Sequence, residues 1–175
     1  MEDKVNVYDD FLPTENFNEI VESLKDLEYR LIEGVTDTRY PTGKKHDFQF
    51  EHHFYELPFH NNPTTKKIGK LLDKLNPTVL YRAKLNLNPN THEIIEHGYH
   101  NDYFDENEAK KFLSAVYYLN TNNGYTKFEN GTIVESIANR LVTFNAGIKH
   151  TGSSCTDVSY RMVLNLLYIP VGEAN

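Results

Sequence analysis

The feature that most constrains this chain is a change of hydrophobic period at Pro77. Before it, apolar residues recur every three to four positions. After it, they recur every second position. Helices bury a stripe with period 3.6 and strands bury a face with period 2, so the front of the chain is expected to be helical and the rest to be sheet. A first helix is expected from Pro13-Thr14, where a capping signal precedes Phe17, Ile20, Val21, Leu24 and Leu27 on one stripe, opposite Glu15, Glu19, Glu22 and Lys25. A second is expected from Thr64 to Leu75, with Ile68, Leu71, Leu72 and Leu75 on one face and Pro77 as the stop. From Thr78 to Asn88, Val79, Tyr81, Ala83, Leu85 and Leu87 alternate with Arg82, Lys84, Asn86 and Asn88. Further strands are expected at Ser114 to Asn120, then through the tight turn Asn123-Gly124 at Tyr125 to Glu129, and through Asn130-Gly131 at Thr132 to Ile137. Others follow at Arg140 to Asn145, Ile148 to Thr151 and Tyr160 to Ile169. So many short strands behind two helices predict a mainly β sandwich or barrel braced by helices on one side.

Size and charge bound the rest. The 175 residues make one domain, long enough to bury roughly 70% of the unfolded surface without a disulfide. Its helical and less regular elements are expected in 1–77 and its core strands in about 78–170. The apolar run from Phe112 to Leu119 is interrupted by Ser114 and falls short of the ~20 residues of a membrane span. The start Met1-Glu2-Asp3-Lys4 lacks the basic and apolar regions of a signal peptide, and a lone Cys155 suits a reducing compartment, so a cytoplasmic setting is expected. A net charge of −7 argues against nucleic-acid binding by phosphate neutralisation, outside a local basic cleft. The segment Tyr40 to His60, with His46, His52, His53 and His60 among Phe48, Phe50, Phe54, Tyr55 and Phe59, has two readings: edge strands with solvated histidines, or a flap over a pocket. His92 and His97 are expected in a polar loop.

The chemistry centres on His100-Asn101-Asp102 and on His150, fifty residues later. In extended backbone, residues two apart face the same way, so an imidazole and a carboxylate at that spacing can grip one ion, and a second imidazole from a neighbouring strand completes three ligands. Two histidines and one carboxylate on one face of an octahedron are the set used by non-haem Fe(II) oxygenases. The triplet alone is weak: eight histidines among 25 acidic residues in 175 positions give about one such hit by chance. Arg161 adds weight. It lies eleven residues after His150 on a strand where Met162, Leu164, Leu166 and Tyr168 form the core-facing set and Arg161, Val163, Asn165 and Leu167 the other. A guanidinium on a central strand requires an anion opposite, either an acidic side chain or a bound carboxylate.

With these residues in place, the sequence from Tyr81 to Tyr168 resembles the Fe(II)- and 2-oxoglutarate-dependent oxygenases, in particular their compact prolyl 4-hydroxylase-like branch. The motifs that carry the likeness run in order: Tyr81 to Pro89, His100-Asn101-Asp102, Tyr117 to Asn120, Gly124 to Phe128, Asn139 to Phe144, His150 and Tyr160-Arg161. The front helix behind Phe11-Leu12-Pro13 resembles the usual lead-in. The resemblance implies a double-stranded β-helix, or jelly roll, with His100, Asp102 and His150 as iron ligands and Arg161 pairing with the far carboxylate of 2-oxoglutarate. It implies that Tyr118 shares that carboxylate and that Asn165 lines the pocket. Asn88 stands where relatives commonly have tyrosine, and the contact that phenol makes is altered here. Fe(II), 2-oxoglutarate and O2 would then serve to hydroxylate an unactivated C–H, foremost a prolyl residue of a peptide or protein. A small molecule or nucleobase is the alternative substrate. A cupin-like metal-binding module without oxygen chemistry is the alternative outside enzymology. Neither a Gly-x-Ser-x-Gly elbow, a phosphate-cradling loop nor a Cys-x-x-Cys pair is present.

Overall fold

The computed structural model describes residues 4–34, 48–58, 60–103 and 105–172. In chain order these form β1 (Asn6–Tyr8), α1 (Thr14–Ser23), β2 (Arg30–Glu33), β3 (Phe48–Glu56), β4 (His60–Asn61), a 3-10 segment (Pro63–Ile68) and α2 (Gly69–Leu75). Then come β5 (Val79–Pro89), α3 (Glu106–Ala109), β6 (Leu113–Tyr118), β7 (Tyr125–Phe128), β8 (Ile133–Glu135), β9 (Leu141–Asn145), β10 (His150–Gly152) and β11 (Tyr160–Ile169). None of the described helices is long and apolar enough to cross a membrane.

The two front helices follow their apolar stripes. Ile20 and Leu24 of the first, and Ile68 and Leu71 of the second, are buried against Phe54, Ala83, Leu85, Tyr117, Leu164 and Leu166 of the large sheet. Each such side chain contributes roughly 1.5–3 kcal/mol of burial. Their ends differ from expectation. Pro13 occupies the N-cap of α1 and offers no side-chain acceptor, so no side-chain cap forms there. The second helix begins as 3-10, with Asn62 accepting from the Thr64 amide, and becomes α-helical only at Gly69. Asn76, in the left-handed region at φ 46°, closes it by donating its amide to the Leu72 carbonyl.

The large sheet runs β1-β9-β6-β11-β5-β3-β2, with β4 paired to β3, and a smaller sheet runs β10-β7-β8. Every pairing is antiparallel. One face of the large sheet packs on the helices. On the other, Val116, Tyr118, Val142, Phe144 and Val163 meet Phe128 and Val134 of the small sheet in a second core. This is a mainly β sandwich braced by helices, as the period change predicts, and a jelly roll, as the resemblance implies.

Three details depart from the sequence reading. Asn123-Gly124 is not a hairpin turn: β6 pairs with β9 and β11, whereas β7 pairs with β8 and β10, so the dipeptide carries the chain between sheets. The strict alternation of β5 breaks at a bulge beside Leu167 and Tyr168. Leu80 therefore faces the helical core while Tyr81 turns to Phe112 and Leu167. And the segment expected as edge strands or a flap supplies β3, an interior strand between β2 and β5. His52 there is half-buried, and its ring nitrogens bond the Glu28 carbonyl and Thr64 Oγ1, each at 2.8 Å. Residues 40–47 of that segment, His46 among them, and Phe59 lie outside the described residues.

Candidate metal centre

The two histidines are brought together by backbone. His100 and His150 form an isolated antiparallel bridge, each amide donating to the other's carbonyl at 2.9–3.0 Å. Their rings lie 4.5 Å apart, centroid to centroid. Two residues on, the Asp102 amide donates to the Ala146 carbonyl, which keeps its carboxylate on the same side. One ligand atom from each of His100, Asp102 and His150 falls within 4.8 Å of the others. His150 Nε2 is 3.8 Å from Asp102 Oδ2. Both imidazoles direct Nδ1 at a local carbonyl, His100 at Gly98 (3.3 Å) and His150 at Ile148 (3.1 Å). With the Nδ1 proton donated there, the Nε2 lone pair is left for a metal.

The electrostatics keep His100 and Asp102 deprotonated. Burial pushes the pKa of His100 down, and the neighbouring His150 adds to this against the pull of Asp102, to about 4. Burial alone would raise that of Asp102, but the guanidinium of Arg82, the two imidazoles and the Ser114 hydroxyl outweigh it and hold the carboxyl well below its usual range. Asp102 Oδ1 accepts from Arg82 Nη2 at 2.5 Å and Oδ2 from Ser114 Oγ at 2.6 Å. Two imidazoles and an ionised carboxylate converging on one side are a donor set for a divalent transition metal, with positions left open.

The same cavity, about 810 Å³, reaches Arg161. This side chain is 3% exposed. Its Nε donates to Ser136 Oγ at 2.8 Å and its Nη2 to Thr126 Oγ1 at 3.2 Å, and its guanidinium lies 5.6 Å from the centre of the Tyr118 ring. Burial lowers its pKa, partly offset by Tyr118, and no carboxylate of the described residues is among its partners. Room for its stem depends on Gly124, where a Cβ would sit 2.8 Å from Arg161 Cδ and 2.7 Å from the Ser154 carbonyl. Among the described residues no anion offsets the guanidinium, and a carboxylate from a bound diacid fits that need.

His100, Asp102, His150, Arg161 and Asn165 thus all border one cavity. Tyr118 does not line it; its hydroxyl donates to Thr126 Oγ1 at 2.8 Å, and Thr126 stands at the wall instead. Asn165 lies opposite Lys84 on β5 and Val116 on β6. Asn88 lies directly opposite Arg161 and is buried. His97 borders the cavity, while His92 is exposed. The sequence reading missed Arg82, Ser114, Thr126, Ser136 and Gly124. One signal was available for Arg82: four polar residues at alternate positions of a strand as long as β5 indicate a hydrated interior as readily as an outer surface.

No family model matches the chain, and no curated protein matches it in sequence. Among solved structures, a prolyl-4-hydroxylase from Pseudomonas putida is similar over 98% of this chain and 95% of its own, at 16% identity and a TM-score of 0.63. A prolyl hydroxylase from Trichoplax adhaerens, in complex with a hypoxia inducible factor peptide fragment, is similar over 97% and 84%, at 13% identity and 0.65. HygX from Streptomyces hygroscopicus, with nickel and 2-oxoglutarate bound, is similar over 95% and 83%, at 12% identity and 0.63. The chain thus shares with these solved structures, over nearly its whole length, the jelly-roll fold of two packed antiparallel sheets.

Proposed function

We propose that the chain is a dioxygenase dependent on Fe(II), 2-oxoglutarate and O2 that hydroxylates an unactivated C–H bond. The observation that carries this reading is Arg161, a buried guanidinium with no carboxylate among its described partners, opening into the cavity of the His100, Asp102 and His150 trio. A module that only held a metal has no use for that cation. A diacid that chelates at one end and pairs with Arg161 at the other accounts for both. When bound, iron and 2-oxoglutarate supply the oxidising power, coupling decarboxylation of the diacid to succinate with insertion of one oxygen atom into the C–H bond.

The protein's part is geometry and charge. His100, Asp102 and His150 are the residues that would hold the ion. Arg82 and Ser114 keep Asp102 ionised and fix its oxygens, and the Gly98 and Ile148 carbonyls fix the imidazole tautomers. Arg161 anchors the far carboxylate, oriented by Ser136 and Thr126, with Tyr118 behind Thr126 and Asn165 at the border. A prolyl residue in a peptide or protein is the substrate the motif order favours, and the Trichoplax neighbour was captured with a peptide. A cytoplasmic setting belongs to the same reading, supported by the unpaired, buried Cys155.

Anaerobic addition of Fe(II) and then 2-oxoglutarate should develop the weak visible charge-transfer band of the chelate, and Arg161→Ala should raise the half-saturating 2-oxoglutarate at least tenfold. With O2 and proline-rich peptides, succinate should accumulate and the peptide gain the mass of one oxygen. Absence of the band removes the oxygenase reading in favour of a cupin-like metal module. A band without turnover on any proline peptide moves the substrate to a small molecule.

A further inference from the structure

The half of the cavity away from Arg161 is walled by β3, β5 and the rim of β2. On β5, Arg82 and Lys84 share the cavity face at two-residue spacing, about 7 Å apart along the strand. Arg82 is committed to Asp102, so Lys84 stands next along the wall from the metal centre. Across from it on β3, Glu51 is saturated. Its Oε1 accepts from Lys84 Nζ and from Gln49 Nε2, each at 2.7 Å, and its Oε2 pairs with His53 at 3.1 Å. His53 also reaches Glu56 at 3.2 Å. The Lys84 ammonium, by contrast, uses one of its three N–H donors on the described residues.

The lining of this half is almost entirely polar. Ile32 and Tyr99 are its apolar members, since Val116 and Val163 lie on the strands nearer Arg161. Over the whole cavity, the Arg161 end included, the charge does not balance either. Among the described lining residues Arg30, Arg82, Lys84 and Arg161 are cationic, and Glu51, Glu56 and Asp102 are anionic. A ferrous ion and a 2-oxoglutarate dianion cancel one another, so the loaded cavity keeps one uncompensated positive charge. In a walled, partly dehydrated space that charge favours an incoming anion.

We infer that the substrate carries an anionic group, a carboxylate in the simplest case, which docks on Lys84 beside the metal centre with Arg30 at the rim. This rests on the oxygenase reading and narrows it. The chemistry that fits is a small carboxylic acid, free amino acids included; an acidic residue next to the oxidised residue of a peptide presents the same group.

The test uses protein loaded with Ni(II) and 2-oxoglutarate, in which turnover is blocked, titrated by calorimetry. The probes are free L-amino acids including proline, short carboxylic acids, the primary amides of each, and proline peptides with Glu or Gln beside the proline. Acids should bind at least tenfold more tightly than their amides. Lys84→Met should abolish that preference while leaving 2-oxoglutarate affinity within twofold. Because Lys84→Met takes the ammonium away from Glu51, the double variant Lys84→Met with Glu51→Gln is measured beside it and should behave alike. A preference for Glu over Gln peptides, with free acids silent, assigns the carboxylate to a peptide side chain. Equal binding of acids and amides, a preference that survives both variants, or no binding by any probe overturns the inference while leaving the oxygenase reading intact. Failure of Ni(II) or 2-oxoglutarate to bind overturns both.

Discussion

Asp102 is held from two sides, and each hold has a separable consequence. Arg82 supplies charge to Oδ1, whereas Ser114 supplies a neutral donor to Oδ2, the oxygen nearer His150. Ser114→Ala removes the donor without changing any charge, so the carboxylate stays ionised but rotates more freely. Metal affinity should fall by about 10-fold, at the lower end of what outer partners of metal ligands contribute, measured by Ni(II) titration against a chelator. Gly124 acts on the other end of the cavity. Its backbone passes so close to Arg161 that a methyl group would stand 2.8 Å from Cδ, and the Ser154 carbonyl on the far side is backbone that cannot swing away. Gly124→Ala should therefore displace the guanidinium. The expected result is a rise of about tenfold in half-saturating 2-oxoglutarate with Ni(II) affinity within twofold of the parent. A change in metal affinity instead would mean that the strand, and not the arginine, had moved.

Among the elements, the join between the entry to α1 and the large sheet depends on Asn139. From the loop before β9, in the left-handed region at φ 65°, it accepts the Leu12 amide (2.9 Å) and the Tyr117 hydroxyl (2.6 Å) on Oδ1, and donates Nδ2 to the Leu12 carbonyl (2.8 Å). Asn139→Ala strips all three contacts and leaves buried partners unsatisfied, so urea unfolding should show a loss of about 3 kcal/mol. Asn139→Gly, which relieves the strained backbone, should lose about 1 kcal/mol less. This hub also marks the limit of what the sequence conveys. Local periodicity is enough to find α1, α2, β5 and β11, because each buries a stripe or face that its own residues spell out. Asn139 looks like any turn residue until the chain 127 positions earlier is beside it. Asn123-Gly124 misleads for a related reason: its glycine is required by a long-range approach to Arg161, whereas a hairpin would have required it locally. Thr126, Ser136 and Ser114 carry no signal, since a short hydroxyl is as common on a surface as at the end of a buried guanidinium. His100, Asp102, His150 and Arg161 were legible because a spacing and a misplaced charge drew attention to them, and motif order then tied them together.

At the scale of the whole molecule, the cavity imposes a cost that the fold must carry. A wall between two packed sheets that holds Lys84, Glu51, Arg82 and Asp102 keeps charges in poorly hydrated space, and such pairs do little for stability when both members are intact. Their effect shows when one member titrates. Burial alone would raise the pKa of Glu51, but the His53 hydrogen bond and the Lys84 ammonium reverse this and hold it at about 2, against 4.5 in an unfolded chain. The unfolded chain takes up the proton first as pH falls, so the contribution of ionised Glu51 is complete above pH 4.5 and is lost as pH descends towards 2. That shift corresponds to about 3 kcal/mol at most. Other carboxylates protonate over the same range, Asp102 included, so the parent alone does not isolate the effect. Comparison with Glu51→Gln does. At pH 6 the variant should be the less stable by about 2–3 kcal/mol in urea, because Lys84 has lost its counter-charge. Near pH 2.5 Glu51 is protonated in the unfolded parent and still mostly ionised in the folded one, but the pH is then so close to its folded value of about 2 that little of the contribution remains, and the gap between the two proteins should narrow to less than about 1 kcal/mol. A gap that stays constant across this range would mean that the Lys84 and Glu51 pair contributes through packing alone, and that the wall opposite Arg161 is less electrostatically coupled than its geometry implies.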